Sequence, residues 1–328
     1  MPKSSRVPDR VALDDLTDLA SAVPHMLGFH PTHSLVAIAL RGARERLSFS
    51  MRLDLIGPEH DHEVAEAIAA RMSHAGAGAV LLFVYDDAPT TAEWLPRRAL
   101  VEAIHDALHV PIREAMLVDD GRVWSYLCGD VRCCPPEGRP MCPDSPGALA
   151  LAAAYALHGH AVLPDRDALV ATTRAIRGVA AESMLQAIER AELPASADRD
   201  ALVDELCADI SESGASLTHD QAAELVVHLH EIAFRDRVVS RLAAHDDTLE
   251  RLVAEVARLA QPPYDAPVAS VFAMAAYFRG DGVVAMAAAE RALDTDPAYS
   301  LAQLIVDCLE RQVEPSDVRH VWLGGDLE

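Results

Sequence analysis

Hydrophobic positions change their period along this chain, and the changes divide it into two halves. Leu16, Leu19, Ala20 and Val23 fall at helical spacing, which predicts a helix over residues 14–26 that Pro24 begins to break. The runs SLVAIALR and LSFSMRLDL follow, the second alternating through Leu47, Phe49, Met51, Leu53 and Leu55; Gly42 to Arg46 between them predicts a hairpin with one buried face. HEVAEAIAARMSHAGA is helical in period and stops at glycine. AVLLFVYDD is a continuous apolar run, the pattern of a central strand covered on both faces. Leu100, Val101, Ile104 and Leu108 predict a helix within residues 93–109, and REAMLVDDGRVWSYL reads as two strands around an Asp-Asp-Gly turn.

Strands alternating with helices predict an α/β layered domain with a mixed sheet over residues 1–145, closing in a Cys/Pro-rich loop. From Gly147 onwards no strand pattern remains. Ala- and Leu-rich helical stretches define an all-α C-terminal part, a helical region over 146–262, until Gln261, Pro262 and Pro263 mark a break. The remaining residues 263–328 resemble a TPR-like helical hairpin, with Ala273, Gly280, Ala285, Ala292 and Pro297 where one tetratricopeptide repeat places small residues, its turn and its closing proline. One such unit cannot bury its own face and must lean on the preceding helices or on a partner. An ordinary helical hairpin accounts for the same pattern.

Composition narrows the function classes. A chain of 328 residues, 51% hydrophobic, can bury a sizeable core in two or three units. Its 28 basic against 51 acidic side chains give a net charge of -23, which opposes nucleic-acid phosphates. The start, MPKSSRVPDR, is followed by ALDDLTDLA rather than an apolar segment, so no signal peptide is expected. The run PGALALAAAYALHGHAVLP is interrupted by His158, Gly159 and His160 and falls short of the ~20 apolar residues that span a bilayer. The expectation is a cytoplasmic protein with mostly reduced thiols, neither nucleic acid nor membrane being a partner.

Four of the six cysteines lie in CGDVRCCPPEGRPMC, residues 128–142. Metal ligation, thiol redox chemistry and plain packing would each leave such a cluster. Adjacent Cys133 and Cys134 point in opposite directions in an extended chain, so one of them joins Cys128 and Cys142; zinc would then need a fourth ligand such as His158 or His160. The metal set is written as Cys128, Cys133 and Cys142. Redox use would draw on Arg132 and Arg139 to lower a thiol pKa. Reduced thiols bracing a proline-rich loop are the third reading, and Cys207 and Cys308, in helical runs, read as core.

A second candidate region is PHMLGFHPTHSL, which joins a helix to the first strand and offers His30, His33 and Ser34 as loop residues able to hold a ligand. Carboxylates recur at strand ends: Asp54, Asp86 with Asp87, and Asp119 with Asp120. Ligands of parallel sheets lie outside the carboxyl ends of the strands, so these acids could line one cleft. Mixed strand directions would put Asp54 or Asp119 at the opposite edge, and capping or turn formation accounts for Asp86, Asp87 and Asp120 without function. AGAGAV precedes its strand, unlike a dinucleotide fingerprint, and there is no Walker lysine loop, GxSxG or HExxH.

The combination of LDDLTDLASAVPHMLGFHPTHSLVAIAL, RLDL, AVLLFVYDD, WSYLCGDVRCCPPEG and GDGVVAMAAAERALDTDPAYSLA resembles an actinobacterial family known as domain of unknown function 4192. The resemblance runs over most of the chain and implies a cytoplasmic bacterial protein, but no activity. It draws attention to GFHP through Ser34 and to CCPPEG, which adds Glu137 to a candidate binding set of His30, Ser34, Asp54, Asp86, Cys133 and Cys134. Thr32 and His33 stand where the resemblance implies a more acidic pair, and Cys142 is a local addition. The leading expectation is a non-catalytic or regulatory module that binds a small molecule or a protein partner. The alternative is a thiol- or metal-dependent enzyme joining Cys133 or Cys134 to His30 and to Asp54 or Asp86.

Overall fold

The computed structural model describes residues 16–43, 45–88, 95–157, 161–191, 199–213 and 216–324, and these fall into two compact units that divide between Asp165 and Arg166. The first carries α1 (Leu16–Leu27), β1 (Ser34–Arg41), β2 (Arg46–Asp54), α2 (Asp61–His74), β3 (Ala79–Tyr85), α3 (Arg98–Ala107), β4 (Ile112–Asp119), β5 (Arg122–Ser125), β6 (Arg139–Pro140) and α4 (Pro146–Leu157). The sequence sets its boundary at 145, whereas α4 lies in the sheet-bearing unit and packs on α1, where Leu151 and Tyr155 meet Ala22.

The six strands form one mixed sheet in the order β2-β1-β3-β4-β5-β6, in which β3 and β4 are the parallel pair and every other neighbour is antiparallel. Its period-two alternation fills two cores at once. Leu35, Ala37, Leu82, Val84 and Leu117 face Ile68 and Met72 of α2 and Leu100 and Ile104 of α3. Val36, Ile38, Phe83, Met116 and Val118 face Ala20 and Val23 of α1 on the other side. All of β3 is buried, as its unbroken apolar run predicts for a central strand. The hairpin is expected to bury one face, yet β1 is buried on both along all but its last residue, because α2 and α3 cover one face and α1 the other.

Two local expectations are corrected. Pro24 does not end α1: the helix runs three residues further, and Gly28, at φ 80, donates its N–H to the Pro24 carbonyl as the left-handed stop. The two-residue β6 has no sequence period of its own and exists through pairing with Arg122 and Val123. The start expected for α1 at Asp14 and that for α3 at Glu93 lie outside the described residues.

The second unit is α5 (Arg166–Ala171), α6 (Val179–Arg190), α7 (Arg199–Ser213), α8 (His219–Leu229), α9 (Ile232–Ala243), α10 (Asp247–Leu259), α11 (Ala266–Phe278), α12 (Gly282–Thr295), α13 (Ser300–Glu310) and α14 (Pro315–Trp322). Among the described residues no strand follows Pro140, as the loss of alternation after Gly147 predicts. Every residue of α11 is buried, which fits a helix that is apolar all round and packed among its neighbours. Helix ends buried in such a core leave carbonyls without intrahelical partners, and two arginines supply the donors. Arg291 reaches the carbonyls of Ala257 at 2.6 Å and Ala260 at 2.8 Å, at the end of α10, and pairs with Asp265 at 2.9 Å. Arg319 reaches those of Ala243 at 3.1 Å and Phe278 at 2.6 Å, at the ends of α9 and α11. Among the described residues no helix is long and apolar enough to cross a membrane.

Ile104 is fully buried between α3 and the sheet, so Ile104→Ala should lower unfolding free energy by about 2–5 kcal/mol. Val179→Ala, at a side chain 78% exposed, should change it by less than about 0.5 kcal/mol in the same urea titration. Equal effects at the two positions would contradict the layered core.

Candidate functional site

β1 runs against both β2 and β3, and β3 runs with β4, so the carboxyl ends of β2, β3 and β4 and the start of β1 share one edge. Register makes this concrete: Ser34 stands opposite both Asp54 and Tyr85, and Tyr85 opposite Val118. Asp54, Ser34, Asp86 and Asp119 therefore come to a single edge of the sheet, where mixed strand directions threatened to separate them.

Most of the charge at this edge is already paired. Asp86, with a side chain 10% exposed, accepts the Arg97 Nε–H at 2.9 Å and the Ala88 N–H at 3.0 Å. Arg97 also donates to the Ile56 carbonyl at 2.7 Å. Arg52 donates to the Ser34 hydroxyl at 2.8 Å and pairs with exposed Asp54 at 2.6 Å, while the buried Ser34 hydroxyl donates to the Thr32 carbonyl. Burial pushes the Asp119 carboxyl above the usual range, and the carboxylates of Asp120, Asp87 and Asp86 push it further, against a backbone N–H of Asp120 that lowers it.

The histidine at this edge is His33, not His30. Held at φ 42 and accepting the Leu55 N–H on its carbonyl, His33 places Nδ1 3.7 Å from Asp87 Oδ1. Ligand atoms of His33, Asp86 and Asp87 lie within 4.8 Å of one another. His30 is exposed, and its main chain bonds the carbonyl of Leu163, which braces the end of α1. Both imidazoles belong to one turn-rich segment, and His33, with its left-handed backbone, is the one beside the aspartates.

The cysteine segment is ordered and its anchors are visible. Trp124 donates its indole N–H to the Pro136 carbonyl at 2.9 Å, and Arg122 donates to the carbonyls of Glu137 at 3.1 Å and Gly138 at 3.0 Å. Gly138 sits at φ 74, and a Cβ there would lie 2.4 Å from Trp124 Cε2, so only glycine fits. Glu137 is thus held by its main chain while its side chain is exposed.

Within the loop, residues 130–134 form a turn instead of an extended strand. The Asp130 carbonyl accepts the N–H groups of Cys133 at 3.0 Å and Cys134 at 2.7 Å, and its carboxylate accepts the Arg132 N–H at 2.9 Å. This curl overturns the expectation that adjacent cysteines diverge: Sγ of Cys128, Cys133 and Cys134 lie within 4.8 Å of one another. Among them Cys128 is the thiol held below its ordinary range, by the Asp130 N–H first and the Cys134 thiol second. Burial pushes Cys134 up to about 12, with Cys128 beside it adding to the effect. All six cysteines are free, and Cys207 and Cys308 are buried in helices.

Cys142 does not join the cluster. β6 returns the chain along β5, so that Met141 bonds the Gly121 carbonyl at the Asp119 end, and Cys142 is exposed beyond it with Sγ 3.9 Å from the Pro140 carbonyl. The thiol cluster begins past Ser125, at the other end of β5. Since Asp119 faces Arg122 and Met116 faces Ser125, the two ends are ~10 Å apart along the strand. Among the described residues, the two groups able to hold an ion share no member. His158 and His160 lie outside the described residues.

A model of the family described as Domain of unknown function (DUF4192) matches residues 17–316. The chain belongs to this family. No curated protein and no solved structure matches it. The DUF4192 match takes in both candidate regions and the helices up to α14.

Two outcomes follow from these environments. Gly138→Ala should cost about 1–3 kcal/mol and speed amide hydrogen exchange across residues 128–138, because the new methyl must displace Trp124; unaltered exchange there would contradict the anchoring. Asp119 has a raised folded-state pKa, so its ionisation opposes folding as pH climbs through the unfolded and then the folded value. Asp119→Asn should therefore raise the Tm at pH 7, and the gain should shrink as pH falls through the raised folded value and vanish below the unfolded one, at about 4. A gain that grows with acid would refute this environment.

Proposed function

We propose that this chain is a non-catalytic binding protein whose sheet edge takes a small, positively charged ligand. One observation carries the reading: a single reversed strand gathers Asp54, Asp86, Asp87 and Asp119 at one edge, beside His33 and Ser34. Three guanidiniums there are engaged among the described residues, Arg52 by Ser34 and Asp54, Arg97 by Asp86 and the Ile56 carbonyl, and Arg122 by the carbonyls of Glu137 and Gly138. Exposed Asp87 and the partly exposed Asp119 are left to set the sign of the surface, so a cation is favoured and an anion repelled. The thiol- or metal-dependent enzyme is less well supported, since Cys133 and Cys134 cluster past Ser125 while Asp54 and Asp86 lie at the Asp119 end of β5, beyond the ~3 Å reach that proton transfer requires.

The same reading takes the helical unit as a surface for protein contacts. α11, α12 and α13 span the stretch that resembles a tetratricopeptide repeat in sequence, and Leu304, Val321 and Leu323 are exposed on the last helices or just beyond them. It also takes the protein to be cytoplasmic and actinobacterial, in keeping with the motif resemblance and with six free thiols.

Calorimetric titration with Mn²⁺ and, separately, with spermidine tests the edge. At least one probe should bind the native chain, and Asp87→Asn should weaken it by about fivefold or more, roughly 1 kcal/mol. If neither probe binds, or if the substitution leaves binding intact, the reading fails.

A further inference from the structure

We infer that Cys128, Cys133 and Cys134 hold one thiophilic divalent cation, zinc being the ion expected, through three thiolates with the fourth position open to solvent or an external donor. The inference is separate from the sheet edge and rests on the loop. Three free sulfurs converge within 4.8 Å of one another. A tetrahedral zinc with bonds of about 2.3 Å sets its sulfurs about 3.8 Å apart, so the thiols need to close by only about an ångström.

The convergence is built in rather than accidental. With four residues between Cys128 and the adjacent pair, the three sulfurs are brought together here by a turn that Asp130 closes. Its carbonyl takes the N–H of both Cys133 and Cys134, and its carboxylate holds the Arg132 main chain and guanidinium, the latter at 3.0 Å. On the other side of the triad, Ser125 Oγ accepts the Cys128 N–H at 3.0 Å and donates to Glu114 at 2.7 Å. Beyond Cys134, the Trp124 and Arg122 bonds to residues 136–138 hold the loop down. These bonds hold the main chain of the triad in the shape that brings the three sulfurs together before any ion binds.

The donor set selects the ion. Three thiolates favour a soft or borderline cation over magnesium or calcium, which take oxygen ligands. Cys142 is not the fourth ligand, because the β5–β6 pairing carries it to the far end of the strand. Cys133 is exposed, so the remaining position faces solvent, and three protein ligands with one open place is the arrangement that admits an external molecule. Binding is a ligand exchange: each thiol gives up its proton as its Zn–S bond forms, up to three protons leave, and nothing is oxidised or reduced.

The test uses the full-length chain, reduced and stripped of metal by a chelator, then titrated with Zn²⁺ against a chromophoric competitor and with Co²⁺ as a spectroscopic probe. One zinc per chain and a Co²⁺ thiolate charge-transfer band are expected. Cys128→Ser and Cys134→Ser should each weaken zinc binding by more than the ~100-fold that loss of a hydrogen bond to a metal ligand can cost, whereas Cys142→Ser should leave affinity and band unchanged. Circular dichroism melts check that the variants fold; should a serine variant unfold, the native chain's Co²⁺ band still reports whether thiolates bind. Failure of the reduced native chain to take up stoichiometric zinc, a Co²⁺ spectrum without the band, a thiolate band that persists when all three cysteines are serine, or loss of that band in Cys142→Ser would each overturn the assignment.

Discussion

β1 lies between two strands that both run against it, and it can do so only because both its faces and both its edges are covered. A strand so enclosed must be apolar along its length, which SLVAIAL is, and its polar residues are pushed to its ends. The reversal has a second effect. With β2 and β3 each antiparallel to β1, they are parallel to each other, and β4 continues that direction, so three carboxyl ends and one amino end meet at a single edge. Aspartates that serve locally as strand-end turn formers thereby become neighbours. Asp119 registers this in its chemistry, since Asp86 and Asp87, from another strand's end, add to its reluctance to ionise.

The opposite end of β5 is organised by different physics. There the chain enters a proline-rich loop that folds back along β5 to reach β6, and side chains along β5 satisfy its main chain: Trp124 for Pro136 and, nearer Asp119, Arg122 for Glu137 and Gly138. Trp124 also presses against Gly138 so closely that no side chain fits, and the loop is thereby held down on the sheet. The three thiols inherit their proximity from this arrangement and from the Asp130 turn. Separation of thiols from carboxylates by the length of β5 is what argues for two binding regions over one composite active site.

In the helical unit, orphan carbonyls at buried helix ends meet Arg291, which takes two at the end of α10, and Arg319, which takes one at each of two helix ends. Glu250 is likewise buried, which raises its pKa, and Arg279 at 3.1 Å offsets the cost of its charge. Substituting either arginine would strand carbonyls in an apolar interior, an expense larger than the net worth of the bonds themselves.

Periodicity alone determined the order of elements, the buried central strand and the change from α/β to all-helical, because these follow from the local alternation of apolar and polar side chains. Family membership was likewise written in short runs such as WSYLCGDVRCCPPEG, and it extends over residues 17–316. Gly28 rather than Pro24 as the end of α1, and β6 as a strand, were settled by hydrogen bonds to residues outside the local window. So were the sites. Whether Asp54 and Asp119 share an edge depends on strand direction, whether His30 or His33 stands beside the aspartates depends on how the turns between α1 and β1 are folded, and whether Cys134 or Cys142 completes the thiol cluster depends on a turn and a two-residue strand. Each is a question of what lies beside what across the sheet, and spacing along a chain carries no such information until the strands have paired.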